Sequence, residues 1–416
     1  MNQMTQIGNY IIYIFLFISV YYEVFLLLTY FEKRLLLQNE TVRVRRGVRK
    51  YPTVSIIVPC WNEEKTISAT INSLLNLDYP KDKLKIIIVD DGSTDNTWQV
   101  IQKFQNKKQI DIYHKENGGK HTALNFALER IDSNLVGCLD ADSFVDKNAL
   151  KNSVVYFEDK NTMAVTPSIK IWKPKNIIEL IQKVEYSWGI FVRKMLSYMG
   201  AMYVTPGPFS IFRREVFERL GGYRHAYLTE DMEMAMRLQA NHYKMVNSHN
   251  SLVYTVAPDA LRKLYKQRLR WTYGFIKNAI DYKYLFFKKE YGNLGIFVLP
   301  MATISIFSAI YILSLSVYGF CKSLFHEYIK ITTVGLHWPA LGFNWFAINT
   351  EFIAVVSAVA FVGTLSIILI SRKMADGKFK FGMDLIYFFA IYAFIAPLWL
   401  SKAVYNSIFS VKTKWR

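Results

Sequence analysis

Acidic residues recur in this chain at spacings that suit chemistry on a charged ligand. Asp140-Ala141-Asp142 sets two carboxylates two residues apart, and on an extended segment residues at that spacing point the same way. Two such anions repel unless a cation lies between them. Mg2+ or Mn2+, shared with the oxygens of a diphosphate, removes the repulsion, so Asp142 and Asp140 are the candidate metal ligands. Thr229-Glu230-Asp231 precedes residues 232–238, which are helical in pattern. Thr229 or Asp231 can cap that helix. Glu230 and Asp231 are also the candidate catalytic pair, one of them acting as general base on an acceptor hydroxyl.

Three further groups are suited to holding a substrate. Asp90-Asp91-Gly92 reads either as a turn with a cap or as a carboxylate accepting an N–H from a nucleobase edge. Asn117-Gly118-Gly119-Lys120 opens a helix and sets Lys120 to neutralise phosphate, although the G-x-x-x-x-G-K-[ST] pattern of a P-loop is absent. Gln267, Arg270 and Trp271 form the spacing Q-x-x-R-W in a basic, aromatic segment. Gln267 and Arg270 lie one turn apart on a helix. Arginine can clamp a departing diphosphate bidentately, and an indole offers a flat platform for a sugar ring. The same segment also reads as an interfacial helix with its cations towards headgroups.

The elements that would position these residues follow from the apolar pattern. Val54–Val58, Leu84–Val89 and Leu135–Leu139 are continuous apolar runs, and helical patterns at residues 64–76, 97–105 and 122–130 lie between them. That alternation predicts an α/β domain with a mainly parallel sheet covered on both faces. Ligands of such sheets bind beyond the carboxyl ends of the strands, which is where the acidic groups fall.

Composition supplies the setting. The 416 residues are 52% hydrophobic and 20% charged with a net charge of +18, yet the two kinds are segregated. Windows at residues 7–31, 296–320 and 352–370 are almost free of charge, and each spans a hydrocarbon core about 30 Å thick. A fourth window, 385–409, carries Pro397 and Lys402. The first lacks preceding basic residues and a cleavage site, so it reads as a retained anchor. The predicted organisation is an N-terminal transmembrane helix (1–31), a basic cytosolic linker (32–51), a cytosolic catalytic domain (52–291) and a membrane region of two to four spans (292–416). Basic residues at 33–50 and 372–380 orient those sides to the cytoplasm; a bacterial chain would sit in the plasma membrane. If 385–409 crosses fully, the basic tail Lys412–Arg416 lies outside; otherwise that window is re-entrant or interfacial, or 331–348 holds another crossing. Clustering of the cations near membrane edges argues against nucleic acid. Cys60, Cys138 and Cys321 have no metal-type spacing and are expected to be packing residues.

Asp90-Asp91-Gly92, Asp140-Ala141-Asp142, Thr229-Glu230-Asp231 and Gln267–Trp271 occur here in the order seen in family 2 glycosyltransferases. The chain resembles their membrane-integrated branch, which includes cellulose, chitin, hyaluronan and poly-N-acetylglucosamine synthases. The resemblance implies a GT-A fold, with Asp91 and Asp90 on the uracil and Lys120 near the donor. It puts Asp140 on the nucleotide, Asp142 on Mg2+ or Mn2+, and Asp231 as base for inverting transfer. Gln267, Arg270 and Trp271 would close over the diphosphate and acceptor terminus, and Thr205–Ser210 matches an acceptor-side loop.

The expected function is inverting transfer from a UDP-sugar, UDP-GlcNAc or UDP-Glc, to the growing end of a β-linked polysaccharide, with extrusion through the membrane helices. Accessory export or regulatory subunits are compatible with it. A second reading is transfer of one sugar to a lipid acceptor, since some family 2 lipid glucosyltransferases carry similar Q/R-x-x-R-W motifs. A non-enzymatic membrane scaffold or transporter explains the spans but leaves the acidic triplets and Trp271 idle.

Overall fold

The computed structural model describes residues 3–335 and 352–409. Eight strands, β1 (Val54–Cys60), β2 (Leu84–Asp91), β3 (Ile110–Lys115), β4 (Leu135–Cys138), β5 (Ser143–Val145), β6 (Thr162–Ile171), β7 (Ile211–Arg213) and β8 (Lys244–Thr255), make one sheet in the order β3-β2-β1-β4-β7-β6-β8-β5. The half built from β1 to β4 is parallel throughout. The other half is mixed: β6 and β8 run parallel, whereas β7 and β5 are antiparallel to their neighbours. Every residue of β1 is buried, as a continuous apolar strand covered on both faces must be.

Short helices cover the sheet: α2 (Ile67–Leu75), α3 (Thr97–Gln102), α4 (Lys120–Leu128) and α5 (Ala149–Val154) accompany its first half, and α7 (Arg214–Leu220) and α8 (Glu230–Ala240) its second. The helix expected at 122–130 begins two residues earlier, so Lys120 is its first residue. Two long amphipathic helices, α6 (Ile177–Tyr198) and α9 (Leu261–Asp281), lie between the sheet and the apolar helices. α6 starts at an Asn176–Glu179 capping box, which satisfies two otherwise unpaired amides.

Four helical stretches are long and apolar enough to cross a membrane: Tyr10–Arg46, Leu294–Val334, Phe352–Asp376 and Met383–Ile408. They comprise α1 (Gln3–Arg46), α10 (Leu299–Val334), α11 (Phe352–Asp376), α12 (Met383–Tyr387) and α13 (Ala393–Ile408). α10 thus takes in residues 331–334 of the segment suspected of an extra crossing; residues 336–351, like the basic tail, lie outside the described residues.

The stretch expected to be a linker after residue 31 is different: α1 does not end with its apolar window but continues to Arg46. Between residues 32 and 46 there is no glycine or proline, and Gly47 is the first, so nothing local stops the helix before it. Its basic end is tied to the sheet domain. Glu40 pairs with the buried Lys194 of α6 and accepts from Tyr156 Oη at 3.0 Å, and Arg43 reaches Glu158 at 3.2 Å. α6 packs on α1 and α11 through Phe191, Met195, Leu26 and Ile367. α9 packs on α13 through Leu269, Trp399 and Ala403. The sheet domain therefore rests on the apolar helices through α6 and α9.

Candidate active site

Strand register brings the chemistry together. β2 aligns Asp90 with His114 and Asp91 with Lys115 on β3. Asp90 is fully buried and bonded to the Ser93 hydroxyl and to His114 Nδ1 at 2.7 Å. Asp91 pairs with Lys115 Nζ at 2.6 Å and accepts the amides of Gly118 (3.1 Å) and Gly119 (2.8 Å). Gly119 has φ +91° and Gly92 φ +71°, conformations that strain a side chain. A Cβ on Gly92 would also lie 2.8 Å from the Asn117 amide nitrogen. The two aspartates expected on the nucleobase thus hold the turn that launches α4. Asp90 has no exposed surface, being covered by Ser93 and His114.

That turn delivers Lys120 to the centre of the site. Its ammonium lies 2.6 Å from Asp140 and 3.2 Å from Glu230, joining the loop after β4 to the start of α8. Gly207 completes the contact, because a Cβ there would lie 2.9 Å from both Asp140 Oδ2 and Lys120 Nζ. Residue 207 must be bare to let the 201–210 loop lie over this ion pair. The loop is also tied to the catalytic candidate: Thr205 donates to the Asp231 carbonyl through its amide (3.2 Å) and hydroxyl (2.7 Å).

Shared surroundings drive these groups apart in proton affinity. Burial alone would lower the Lys120 pKa, but Asp140 and Glu230 outweigh it and hold the ammonium well above its usual range. Burial likewise works to raise Glu230, and Lys120 with Arg270 overrides it, keeping that carboxylate ionised below its ordinary value. Asp231 moves the other way. Burial and then the Glu230 charge push it up to about 6. Adjacent carboxylates held at different pKa values are a mark of divided acid–base roles.

Asp142 follows Asp140 by two residues and is pushed up to about 7 by burial, then by the charges of Asp140 and Glu63. It accepts from Ser143 Oγ at 3.1 Å and makes no ion pair among the described residues. A divalent cation would relieve this accumulation of negative charge. Among the described residues no three His, Cys, Asp or Glu side chains enclose a metal position. The donor set thus fits a hard cation taking one or two carboxylates and completing its shell with other oxygens.

The fourth motif lies on α9. Arg268, between Gln267 and Arg270, organises it: it pairs with Glu185 of α6 at 2.7 Å, donates to Gln267 Oε1 at 2.5 Å, and lies over the Trp271 ring at 4.2 Å from the centroid. Arg270 acts on Glu230 through its charge. α9 is fastened to the third motif by contacts that motif spacing does not reveal. Asn278 Nδ2 donates to Thr229 Oγ1 at 2.9 Å, and a Cβ on Gly274 would collide with the Thr229 side chain. Residues 226–228 just before Thr229 all have positive φ, so the chain enters the motif through a strained turn. Arg268 and Gly207 lie inside runs expected at the site but were given no role of their own there, and Gly274 was not among the expected residues. A glycine inside a helical pattern was the available signal for Gly274.

Comparison with known proteins agrees with this geometry. Residues 55–221 match the glycosyl transferase family 2 model. The chain is similar to poly-beta-1,6-N-acetyl-D-glucosamine synthases of Staphylococcus epidermidis, 29% identical over 272 residues, and of Staphylococcus aureus strain COL, 30% identical over 280 residues. Each match covers 65% of this chain and 65% of the relative's own length. A solved mannosyltransferase of Pyrobaculum calidifontis, PcManGT in complex with GDP-Man and Mn2+, superposes with a TM-score of 0.58 at 18% identity, covering 95% of this chain and all of that one. The fold is accordingly GT-A-like: a mixed, mostly parallel sheet with four candidate membrane helices.

Proposed function

Since residues 55–221 form a glycosyl transferase family 2 domain, we propose that this chain polymerises a sugar from a UDP-sugar, UDP-GlcNAc by preference, into a β-linked polysaccharide at the cytosolic membrane face. The observation that carries this reading is the Lys120 junction, where one ammonium holds Asp140 and Glu230 together beside Asp231. The staphylococcal synthases supply the choice of sugar, and the four apolar helices supply the membrane setting and the route of export.

Inverting transfer is one in-line displacement, with a base on one face of the anomeric carbon and stabilised leaving-group charge on the other. Asp231 is the base: its raised pKa suits a carboxylate that removes a proton from an acceptor hydroxyl, and Thr205 fixes its backbone. Glu230, kept ionised by Lys120, maintains that raised affinity. Asp140 and the turn held by Asp91 border the nucleotide; Asp90 supports that turn. Lys120 and Arg270 draw charge off the departing diphosphate, and Gln267 and Trp271 bound the acceptor terminus. Asp142, with Asp140, would hold Mg2+ or Mn2+, which supplies charge stabilisation to the diphosphate when bound.

Membranes containing the chain, given labelled UDP-sugars with Mg2+ or Mn2+, test the proposal. A high-mass, glycosidase-sensitive product is expected. A single organic-extractable glycolipid would show instead that the acceptor is a lipid and transfer is not repeated.

A further inference from the structure

A cleft of about 610 Å3 opens between the turn at residues 224–228 and the C-terminal half of α9. Arg224 and Tyr227 of the turn, Glu233 of α8, and Asn278, Asp281 and Tyr284 at the end of α9 line it. Its size falls in the range of small-ligand sites, about 300–1,000 Å3. The catalytic candidates Lys120, Glu230 and Asp231 line a different cavity, and the two have no lining residue in common. Among the described residues, none that lines the cleft belongs to an apolar helix.

The charges of the cleft are balanced. Buried Glu233 pairs with Arg237 at 2.9 Å and Arg224 at 3.3 Å, and accepts from Tyr282 Oη at 2.6 Å. Asp281 is exposed at the rim, so two guanidinium groups stand against two carboxylates and the match is to an uncharged ligand. One polar atom inside is left over. Asn278 is 1% exposed, and its Nδ2 donates to Thr229 Oγ1 and to the Gly274 carbonyl, both at 2.9 Å. A carbonyl only accepts, which fixes the orientation of the amide. Asn278 Oδ1 is then the atom with no hydrogen-bond partner among the described residues. A buried acceptor left unmatched carries its full desolvation cost, which a ligand O–H recovers. Tyr284, 49% exposed, offers a ring face beside these groups.

We propose that this cleft binds a neutral mono- or disaccharide as an effector, apart from the reacting sugars. Sugar hydroxyls donate to Asn278 Oδ1 and Asp281 and accept from Arg224, and the apolar face of a pyranose covers Tyr284. A phosphate is the weaker fit, because it would face Asp281 while Arg224 is shared with Glu233. The effect follows from what the walls are. Residues 226–228 have positive φ and lead into Thr229, and Asn278 holds Thr229 to α9. A sugar spanning the turn and α9 braces the joint between the third and fourth motifs, and so raises the rate of transfer. This holds whether the acceptor is a polysaccharide or a lipid.

The test uses the full chain in lipid nanodiscs and compares wild type with Tyr284→Ala, Asp281→Ala and Lys120→Met. Binding of free glucose, N-acetylglucosamine and inorganic phosphate is read by saturation-transfer NMR, and sugar transfer is measured with and without each. Wild type and Lys120→Met are expected to bind the sugars, since Lys120 lines the other cavity. Tyr284→Ala and Asp281→Ala should each weaken binding on the order of tenfold, as loss of one stacking ring or one charged hydrogen-bond partner does. Both side chains are exposed, so basal transfer should stay at the wild-type rate while the rise on adding sugar is lost. Three results overturn the proposal: no sugar binding to wild type, phosphate binding in place of sugar, or an equal rise in transfer in Tyr284→Ala and Asp281→Ala. The last would show the free sugar acting only as an acceptor at the reacting carboxylates.

Discussion

Replacing Gly274 by alanine adds one methyl group to the middle of α9, where helix propensity alone favours alanine by about 1 kcal/mol. The structure predicts damage instead. The new Cβ would lie 2.9 Å from Thr229 Cβ, with Oγ1 and Cγ2 of the same residue nearer still. Carbon atoms in contact prefer about 3.5–4.0 Å, so α9 and the Thr229 turn must separate by about 1 Å. Overpacking of this kind costs about 1–3 kcal/mol, which the propensity gain offsets only in part. Function should suffer more than stability. Gln267, Arg270 and Trp271 lie within two turns of Gly274 on the helix that must move, and Glu230 and Asp231 follow directly on Thr229. A misplacement of about 1 Å costs on the order of 100-fold in rate. Purified Gly274→Ala should thus lose about that factor in sugar transfer while its melting temperature falls only slightly. Adding Thr229→Ala should restore part of the activity, because the two nearest colliding atoms, Oγ1 and Cγ2, are gone and only the Cβ contact remains, even though that change alone removes the bond from Asn278. Wild-type turnover in Gly274→Ala, or a double variant no better than the sum of the singles, would refute the coupling of α9 to the motif.

Other expectations are read from the same groups. With Asp231 as the proposed base, transfer requires its deprotonated form; its pKa is raised to about 6 by burial and Glu230, so kcat should rise with pH through about 6 and level off above, and Asp231→Asn should abolish transfer while retaining donor binding by calorimetry. Lys120→Met removes the cation shared by Asp140 and Glu230; donor affinity and kcat should both fall, and the lower limb of the pH profile should shift as Glu230 loses the charge that keeps it ionised. Chelating divalent cations should stop transfer, with activity returning on addition of Mg2+ or Mn2+, whereas Asp142→Asn should bind the donor equally weakly with and without metal. Glu40→Ala leaves Lys194 buried without its counter-charge; breaking such a pair costs about 3–5 kcal/mol, visible as a lowered melting temperature in detergent.

The parallel half of the sheet was legible because burial on both faces makes β1, β2 and β4 unbroken apolar runs. The far half was not. β8 contains Asn247-Ser248-His249-Asn250-Ser251, a run that reads as a loop, yet Asn247 and Ser251 are fully buried. Asn247 Nδ2 donates to Thr166 Oγ1 at 3.0 Å and Ser251 Oγ to the Ala149 carbonyl at 2.9 Å, partners that only the folded chain supplies. β5 and β7 have three residues each, too few for a period to show. At the site the acidic motifs announced themselves by type and spacing, but their division of labour did not. Asp90 and Asp91 build a turn because β3 brings His114 and Lys115 alongside, a pairing between residues 24 apart in sequence. Gly207 and Gly274 matter for what a side chain would strike, which only the assembled fold reveals.

The central claim is that Asp231 activates an acceptor hydroxyl for direct displacement at the anomeric carbon of a UDP-sugar. Its most direct test is the anomeric configuration of the bond formed from α-linked UDP-GlcNAc, read by NMR on the first product, with UDP release counted and Asp231→Asn as control. The account predicts a β linkage, one UDP per sugar transferred and no product from the variant; an α linkage, or normal product from Asp231→Asn, would contradict it.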